Sequence, residues 1–154
     1  MAEHRVSIRW QHTAGDFRKG TYSREHSWTF DGGVVVPASP SPHVVRVPYS
    51  NPDFVDPEEA FVAAIASCHM LSFLYAAQQR GFDVTSYHDE AVGRLSKNER
   101  RVSWVSVVEL APRVVYAGAQ VPSADEVRAL HDEAHHACFI ANSVKTEIRI
   151  TPVG

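Results

Sequence analysis

The chain predicts an α+β domain, a mainly antiparallel sheet packed on two principal helices. Three observations lead there. Runs that alternate polar and apolar residues occur before, between and after two helical segments. Each helical segment opens on a capping-box pattern, Asp56-Pro-Glu-Glu59 and Ser123-Ala-Asp-Glu126. The first segment, Ala60-Phe-Val-Ala-Ala-Ile-Ala-Ser-Cys-His-Met-Leu-Ser-Phe-Leu-Tyr-Ala-Ala77, is too apolar for a helix with one side in water. Either the domain wraps it completely, or two copies of the chain bury it together in an extensive homodimer.

The elements follow in order. Arg5-Val-Ser-Ile-Arg-Trp10 alternates and places Val6, Ile8 and Trp10 on one strand face. Gly15 and Gly20 punctuate a turn, Thr21–Phe30 has strand composition, and Asp31-Gly-Gly33 signals a hairpin. Pro37, Pro40, Pro42, Pro48 and Pro52 predict an irregular stretch through about Val55. The long helix then has Asp56 as N-cap, Pro57 at its first position and Gly81 just past its end. It covers about 24 residues, roughly 36 Å at 1.5 Å per residue. Strand-like runs at Asp83–Leu95 and Arg101–Val115 flank the polar turn Ser96-Lys-Asn-Glu-Arg100. Ser123 opens a helix that runs to about Cys138, and Val144–Ile150 alternates as a last strand.

Size and charge narrow the classes of function. The 154 residues fit one domain, 1–154, with room for a real core. Hydrophobic residues at 44% and charged residues at 21% exclude wholesale disorder. A net charge of −3 offers no electrostatic footprint for nucleic acid or anionic lipid. The start, Met-Ala-Glu-His-Arg-Val, lacks the apolar core of a secretory signal. The Ala60–Ala77 run follows two glutamates and carries a histidine, so an internal helix buried on most of its circumference explains it better than a bilayer span. A reducing, cytoplasmic setting is the expectation, and there paired thiols are transient or catalytic.

The two cysteines carry the functional question. Cys68 lies in the long helix and Cys138 at the end of the second, in Ala134-His-His-Ala-Cys-Phe-Ile-Ala-Asn142. A helical cysteine is commonly a small core hydrophobe, so the residues leave two readings open: inert buried thiols, or a redox pair assembled by folding. Cys68 sits about twelve positions into its helix, beyond help from the N-terminal dipole, and burial among Ala64, Ile65 and Leu71 pushes its pKa upward. A reactive Cys68 needs a cation from elsewhere, and arginine suits burial best. Glu58 could hold it, but ten residues of helix separate Glu58 from Cys68 by about 15 Å. Two chains crossing in a dimer would bring Glu58 of one toward Cys68 of the other. His69 points to a different helix face from Cys68, and His135 and His136 read as a solvated or capping helix end.

These residues resemble the OsmC/Ohr family, the osmotically inducible and organic hydroperoxide resistance proteins. The carrying segments are Asp56-Pro-Glu-Glu59 followed by Ala66-Ser-Cys-His-Met70, and Ala134-His-His-Ala-Cys-Phe-Ile-Ala-Asn-Ser143. Tyr22-Ser-Arg-Glu-His26 resembles a Tyr-Ser-Arg-Asp-His segment of an OsmC-like branch. The resemblance implies an intertwined α+β homodimer with the long apolar helices central and two sites at the interface. It implies that Cys68 is the peroxidatic cysteine, Cys138 the resolving one, and Glu58 the residue that positions a thiolate-stabilising arginine. Arg24 fits the Tyr-Ser-Arg pattern, Arg18 aligns with the Ohr branch, and Arg46 is a third candidate. Two residues depart from the family pattern: Phe139 stands where proline is usual, and His69 where many members carry an aromatic residue.

By that resemblance the protein is an oxidoreductase of the oxidative stress response, an antioxidant peroxidase that reduces organic hydroperoxides through a redox-active Cys68–Cys138 disulfide. Met70, Leu71 and Phe73 would supply the apolar substrate surface. No cofactor or metal is implied; an external dithiol, in the Ohr branch a lipoylated protein, restores the thiols. The implied partners are a second copy, the hydroperoxide and the thiol reductant, with no nucleic acid and no membrane. Two rivals remain: a non-catalytic dimer binding an apolar ligand, and a soft-metal site built from Cys68, Cys138 and His135 or His136.

Overall fold

The computed structural model describes residues 1–153, and the chain divides into two compact units, Met1–Ala60 and Phe61 onward. The fold is α+β, with two helices and mainly antiparallel sheets. In the first unit, β1 (Val6–Trp10), β4 (His26–Phe30) and β5 (Val35–Ala38) form an antiparallel sheet in the order β1-β4-β5. Between β1 and β4 lies a small ribbon of β2 (Gly15–Asp16) and β3 (Thr21–Tyr22). The Asp31-Gly-Gly33 turn joins β4 to β5 as expected, with Gly33 at φ +86° and its N–H donating to Phe30 O. Val6, Ile8 and Trp10 do share a face, but in this chain that face is exposed, at 53%, 58% and 40%.

The expected strand Thr21–Phe30 is broken. Between β3 and β4 the Trp10 indole donates to Ser23 O, Arg24 N–H donates to Tyr49 O, and Ser23 Oγ accepts from Glu25 N–H. These bonds, one local and two from distant parts of the chain, withdraw residues 23–25 from the ladder. The proline-rich stretch is irregular apart from β5. It returns at Val55, whose N–H donates to Pro37 O while Ser39 N–H donates to Val55 O.

The first unit ends in the opening turn of α1 (Pro57–Gln79). The capping box is realised: Glu59 N–H donates to Asp56 Oδ1 at 2.8 Å, and Asp56 N–H donates to Glu59 Oε2 at 3.1 Å. At the far end Gly81, at φ +77°, closes a Schellman motif, with Phe82 N–H on Ala77 O and Gly81 N–H on Gln78 O.

In the second unit, β6 (Asp83–His88) pairs antiparallel with β9 (Arg113–Ala117). β7 (Val92–Lys97), β8 (Ser103–Leu110) and β10 (Glu147–Ile150) form a second sheet in the order β10-β8-β7, with β10 parallel to β8. The two long runs expected here are each divided. Asp89 Oδ1 accepts from Ala111 N–H at 2.7 Å, and the fully buried Pro112 follows, so both arms of the hairpin break at one level. α2 (Ala124–Ala137) carries its capping box at Ser123 and ends at Cys138.

One face of α1, formed by Ile65, His69, Phe73, Ala76 and Ala77, is buried. Its N-terminal half packs through Phe61, Val62 and Ile65 on Val105, Val108, Leu110 and Ile148. Its C-terminal half packs through Phe73, Ala76 and Ala77 on Leu130 and Ala134 of α2 and on Val84, Tyr87 and Tyr116. Burial of each large side chain contributes about 1.5–3 kcal/mol. Of the two ways to bury this helix, complete wrapping by its own domain is not what is observed. Ala63, Ala64, Ser67, Leu71 and Tyr75 are exposed, the last two at 61% and 66%. By length and composition α1 could cross a membrane, and only 28% of its most apolar window is buried within the chain.

At Gly93 of β7, Val62 of α1 rests directly on the second sheet. A Cβ there would meet Val62 Cγ2 at 2.5 Å and Val105 Cγ1 at 3.4 Å. Both are stiff β-branched side chains, so Gly93→Ala is expected to cost about 1–3 kcal/mol in urea unfolding. Val62→Ala in the same chain should recover most of that loss. Full stability in the single Gly93→Ala variant would show that this contact is not tight.

Candidate active site

Cys68 and Cys138 are brought together in the second unit. Cys68 is half-buried on α1, while Cys138, 1% exposed, stands at the C-terminal end of α2. Both are free thiols within hydrogen-bonding range of one another. Burial pushes the Cys138 thiol above its ordinary pKa, and its hydrogen bond with Cys68 pushes the same way; the Ala141 N–H, donating to Cys138 Sγ at 3.4 Å, opposes both. Cys138 is therefore held as the protonated thiol at neutral pH.

The turn after Cys138 is tightly stapled. Asn142 Nδ2 donates to His136 O and Cys138 O, both at 2.9 Å, and Ser143 Oγ donates to Phe139 O at 2.7 Å. Asn142 was not singled out from the sequence; a polar residue four positions past a helix cap is the signal that marks it.

Cys68 opens onto a groove of about 400 Å³ lined by Leu71, Ser72, Tyr75, Ala137 and Phe139. Helical periodicity explains the lining. Leu71, Ser72 and Tyr75 lie three, four and seven residues beyond Cys68, hence on its face. Met70 and Phe73, at two and five residues, do not share that face. The expectation for these two is corrected: Phe73 is fully buried in the core and Met70 is not part of the groove. Tyr75 and Phe139, the latter 84% exposed, take their place.

The residues expected to activate Cys68 lie in the first unit. Arg24 is half-buried; it donates from Nη1 to Tyr22 O at 3.0 Å and from Nη2 to Gly20 O at 3.2 Å, and lies 4.0 Å over the Tyr22 ring. Arg24 also lines a second groove of about 270 Å³ with Trp10, Phe17, Tyr22, His26 and Pro40. Arg18 is exposed, and Arg46 lies 5.6 Å from the Tyr49 ring centroid. Glu58 is half-buried. Among the described residues no ion pair joins Glu58 to any of these arginines. Nor do three His, Cys, Asp or Glu side chains come together there as a metal site.

A feature unforeseen from the sequence is a buried histidine pair beside the thiols. His69 and His131, 2% and 3% exposed, approach to 3.0 Å between Nε2 and Nδ1. Their rings are nearly parallel, at 9°, with centroids 5.3 Å apart. That separation, with so short a nitrogen contact, fits coplanar rings sharing one in-plane N–H···N bond rather than face stacking. Phe73 lies against His131, 4.4 Å between centroids. Burial lowers both imidazoles from 6.5 to about 4; proximity to His131 and His135 adds to the effect on His69, while Asp132 opposes it weakly at His131.

Fold and site together define an α+β protein with two neighbouring thiols, one of which opens onto an apolar groove. The family model described as OsmC-like protein matches residues 50–153, and the chain belongs to that family. An OsmC-like protein of unknown function from Vibrio cholerae is 47% identical, with a TM-score of 0.96 over 99% of this chain and 100% of that one. Two organic hydroperoxide resistance proteins share the fold at 15% identity. The one from Elizabethkingia anophelis has a TM-score of 0.72 over 99% of this chain and 94% of its own. The one from Bacillus subtilis has a TM-score of 0.69 over 99% and 98%. No curated protein matches the chain.

The lowered histidine pKa values set a pH dependence. A neutral imidazole in the fold and a free one in the unfolded chain bind protons equally little above pH 6.5. Below that only the unfolded chain takes up protons, until the folded pair titrates near 4. Stability is therefore expected to be full above pH 6.5 and to fall toward pH 4, by at most about 3 kcal/mol per imidazole. Urea unfolding across this range should show the fall, and His69→Gln should reduce it to the share that His131 contributes. A profile unchanged by that substitution would count against the assignment.

Proposed function

We propose that this chain is a two-cysteine peroxidase that reduces organic hydroperoxides to alcohols, working as a homodimer. The observation that carries the reading is the pairing of a half-buried Cys68, open to an apolar groove, with a buried and protonated Cys138. In the first step the Cys68 thiolate attacks the distal oxygen of the hydroperoxide. The O–O bond breaks, Cys68 becomes a sulfenic acid, and the departing alkoxide takes a proton to leave as alcohol. Cys138 then attacks the Cys68 sulfur. The S–O bond breaks, the S–S bond forms, and the hydroxyl leaves with the Cys138 proton as water. An external dithiol reduces the disulfide and is itself oxidised to a disulfide, which suits a reducing cytoplasm.

Leu71, Tyr75 and Phe139 favour an alkyl or aryl hydroperoxide over hydrogen peroxide, because an apolar substituent gains by leaving water there. The dimer supplies what one chain lacks. The exposed stripe Ala63, Ala64, Leu71 and Tyr75 of α1 requires cover, and a second α1 crossing it would bring Glu58 and Arg24 toward the other chain's Cys68. In that arrangement Glu58 holds the guanidinium of Arg24, with Arg18 the alternative, and the arginine stabilises the thiolate.

One equivalent of cumene hydroperoxide should consume both thiols with an intact-mass loss of about 2 Da, the two hydrogens of disulfide formation. The same dose of hydrogen peroxide should act more slowly. Cys68→Ser should abolish the reaction, and Cys138→Ser should stop at the sulfenic acid. Two free thiols and unchanged mass would overturn the peroxidase and favour a ligand-binding dimer. Independently, light scattering at micromolar concentration should give twice the chain mass; a monomer would remove the interface on which the Arg24 and Glu58 roles depend.

A further inference from the structure

We propose that His69 and His131 are a positioning pair, whose hydrogen bond ties α1 to α2 and holds Cys68 against Cys138 for disulfide closure. The inference rests on the two-cysteine reading and assigns it residues outside the groove. His69 follows Cys68 directly, so no rotation or slide of α1 can move one without the other. On α2, His131 lies seven residues before Cys138, two turns back on the same helical face and about 10 Å along the axis. The 3.0 Å bond is thus anchored beside one thiol and two turns from the other.

The remaining contacts between the helices leave this tie a particular task. Phe73, Ala76 and Ala77 meet Leu130 and Ala134 through apolar surface, which attracts without fixing rotation. Apart from the thiol pair itself, among the described residues the other side-chain polar tie between them is the Arg80–Glu133 ion pair, 2.6 Å long but 39% and 46% exposed at its two ends, which water weakens. The histidine bond is directional and shielded from solvent. Its geometry is confined further by Phe73 against His131. Closure demands that the two Cα atoms come within about 4.4–6.8 Å with a defined S–S dihedral. A displacement of about 1 Å can slow such a step by about a hundredfold.

The test separates closure from oxidation. Reduced protein receives one equivalent of cumene hydroperoxide with dimedone present to trap sulfenic acid, and intact mass reads the ratio of adduct to disulfide. The native protein should give mainly disulfide. His69→Leu should accumulate the adduct through closure at least about tenfold slower. His69→Gln, whose amide reaches the Nε2 position, should restore the disulfide. At the other end His131→Asn, with its amide at the Nδ1 position, should behave as native, whereas His131→Gln overshoots and should resemble His69→Leu. This polar contrast serves even where the leucine variant fails to fold.

A second measurement uses no peroxide. In glutathione redox buffers the effective concentration of Cys68 for Cys138 should fall at least about tenfold in His69→Leu and His131→Gln, but not in His69→Gln. If native Cys68 ignores the hydroperoxide, the peroxidase reading fails while this second measurement still decides the positioning role. Native-like closure and native-like effective concentration in His69→Leu, or a His69→Gln variant as slow as leucine, would overturn the inference. A purely structural pair would lower the melting temperature and leave the ratio of adduct to disulfide unmoved.

Discussion

The rotational setting of α1 is the constraint on which the rest of the structure depends. A helix of 3.6 residues per turn that buries Ile65, His69, Phe73, Ala76 and Ala77 has no freedom left in where it points its other residues. Cys68 is one position from that buried face and so stands at its margin, half-covered and facing Ala137 and Phe139. A slip of one residue would carry Cys68 into the core or His69 into solvent. The capping box at Asp56 and the Schellman turn at Gly81 pin the two ends, and Val62 resting on Gly93 pins the depth.

That setting divides the labour between the two thiols. Cys68 has access to the groove, whereas Cys138 has none, being 1% exposed under a turn stapled by Asn142 and Ser143. Burial pushes the Cys138 thiol up, and the pair is already asymmetric in its access to the groove. In the peroxidase reading this asymmetry assigns the order of events: the open thiol meets the substrate, and the enclosed one waits for the sulfenic acid. In that reading the stapled turn would keep the backbone of Cys138 in place while its sulfur changed partners.

A buried imidazole pair is a costly element for a small core. Each ring gives up hydration, and His131 Nε2 finds no partner among the described residues. Apolar side chains of similar volume would fill the space at lower cost. What imidazoles add is direction, and this polar bond between α1 and α2, shielded from solvent, stands next to Cys68. The exposed stripe of α1 is the complementary case. Leu71 and Tyr75 are left uncovered by their own chain, which suits a helix whose second face belongs to an interface.

Much of this was legible along the chain. Capping boxes at Asp56 and Ser123, the Asp31-Gly-Gly33 hairpin and Gly81 as helix stop are local, so the residues that make each bond lie within five positions of one another. The fold class and the family followed from these and from the two cysteine segments. Groove membership was misjudged where nearness in sequence stood in for helical phase: Met70 and Phe73 are close to Cys68 along the chain, but Leu71, Ser72 and Tyr75 are close around the helix. The broken strands at Ser23–Glu25 and at Asp89 depend on bonds to Tyr49 and Ala111, more than twenty residues away. The His69–His131 bond spans 62 positions. Local chemistry, decided by the sequence itself, set where each element begins and ends; which side chains meet across those distances was decided only by tertiary packing, because no short-range pattern encodes the partner of a buried polar group.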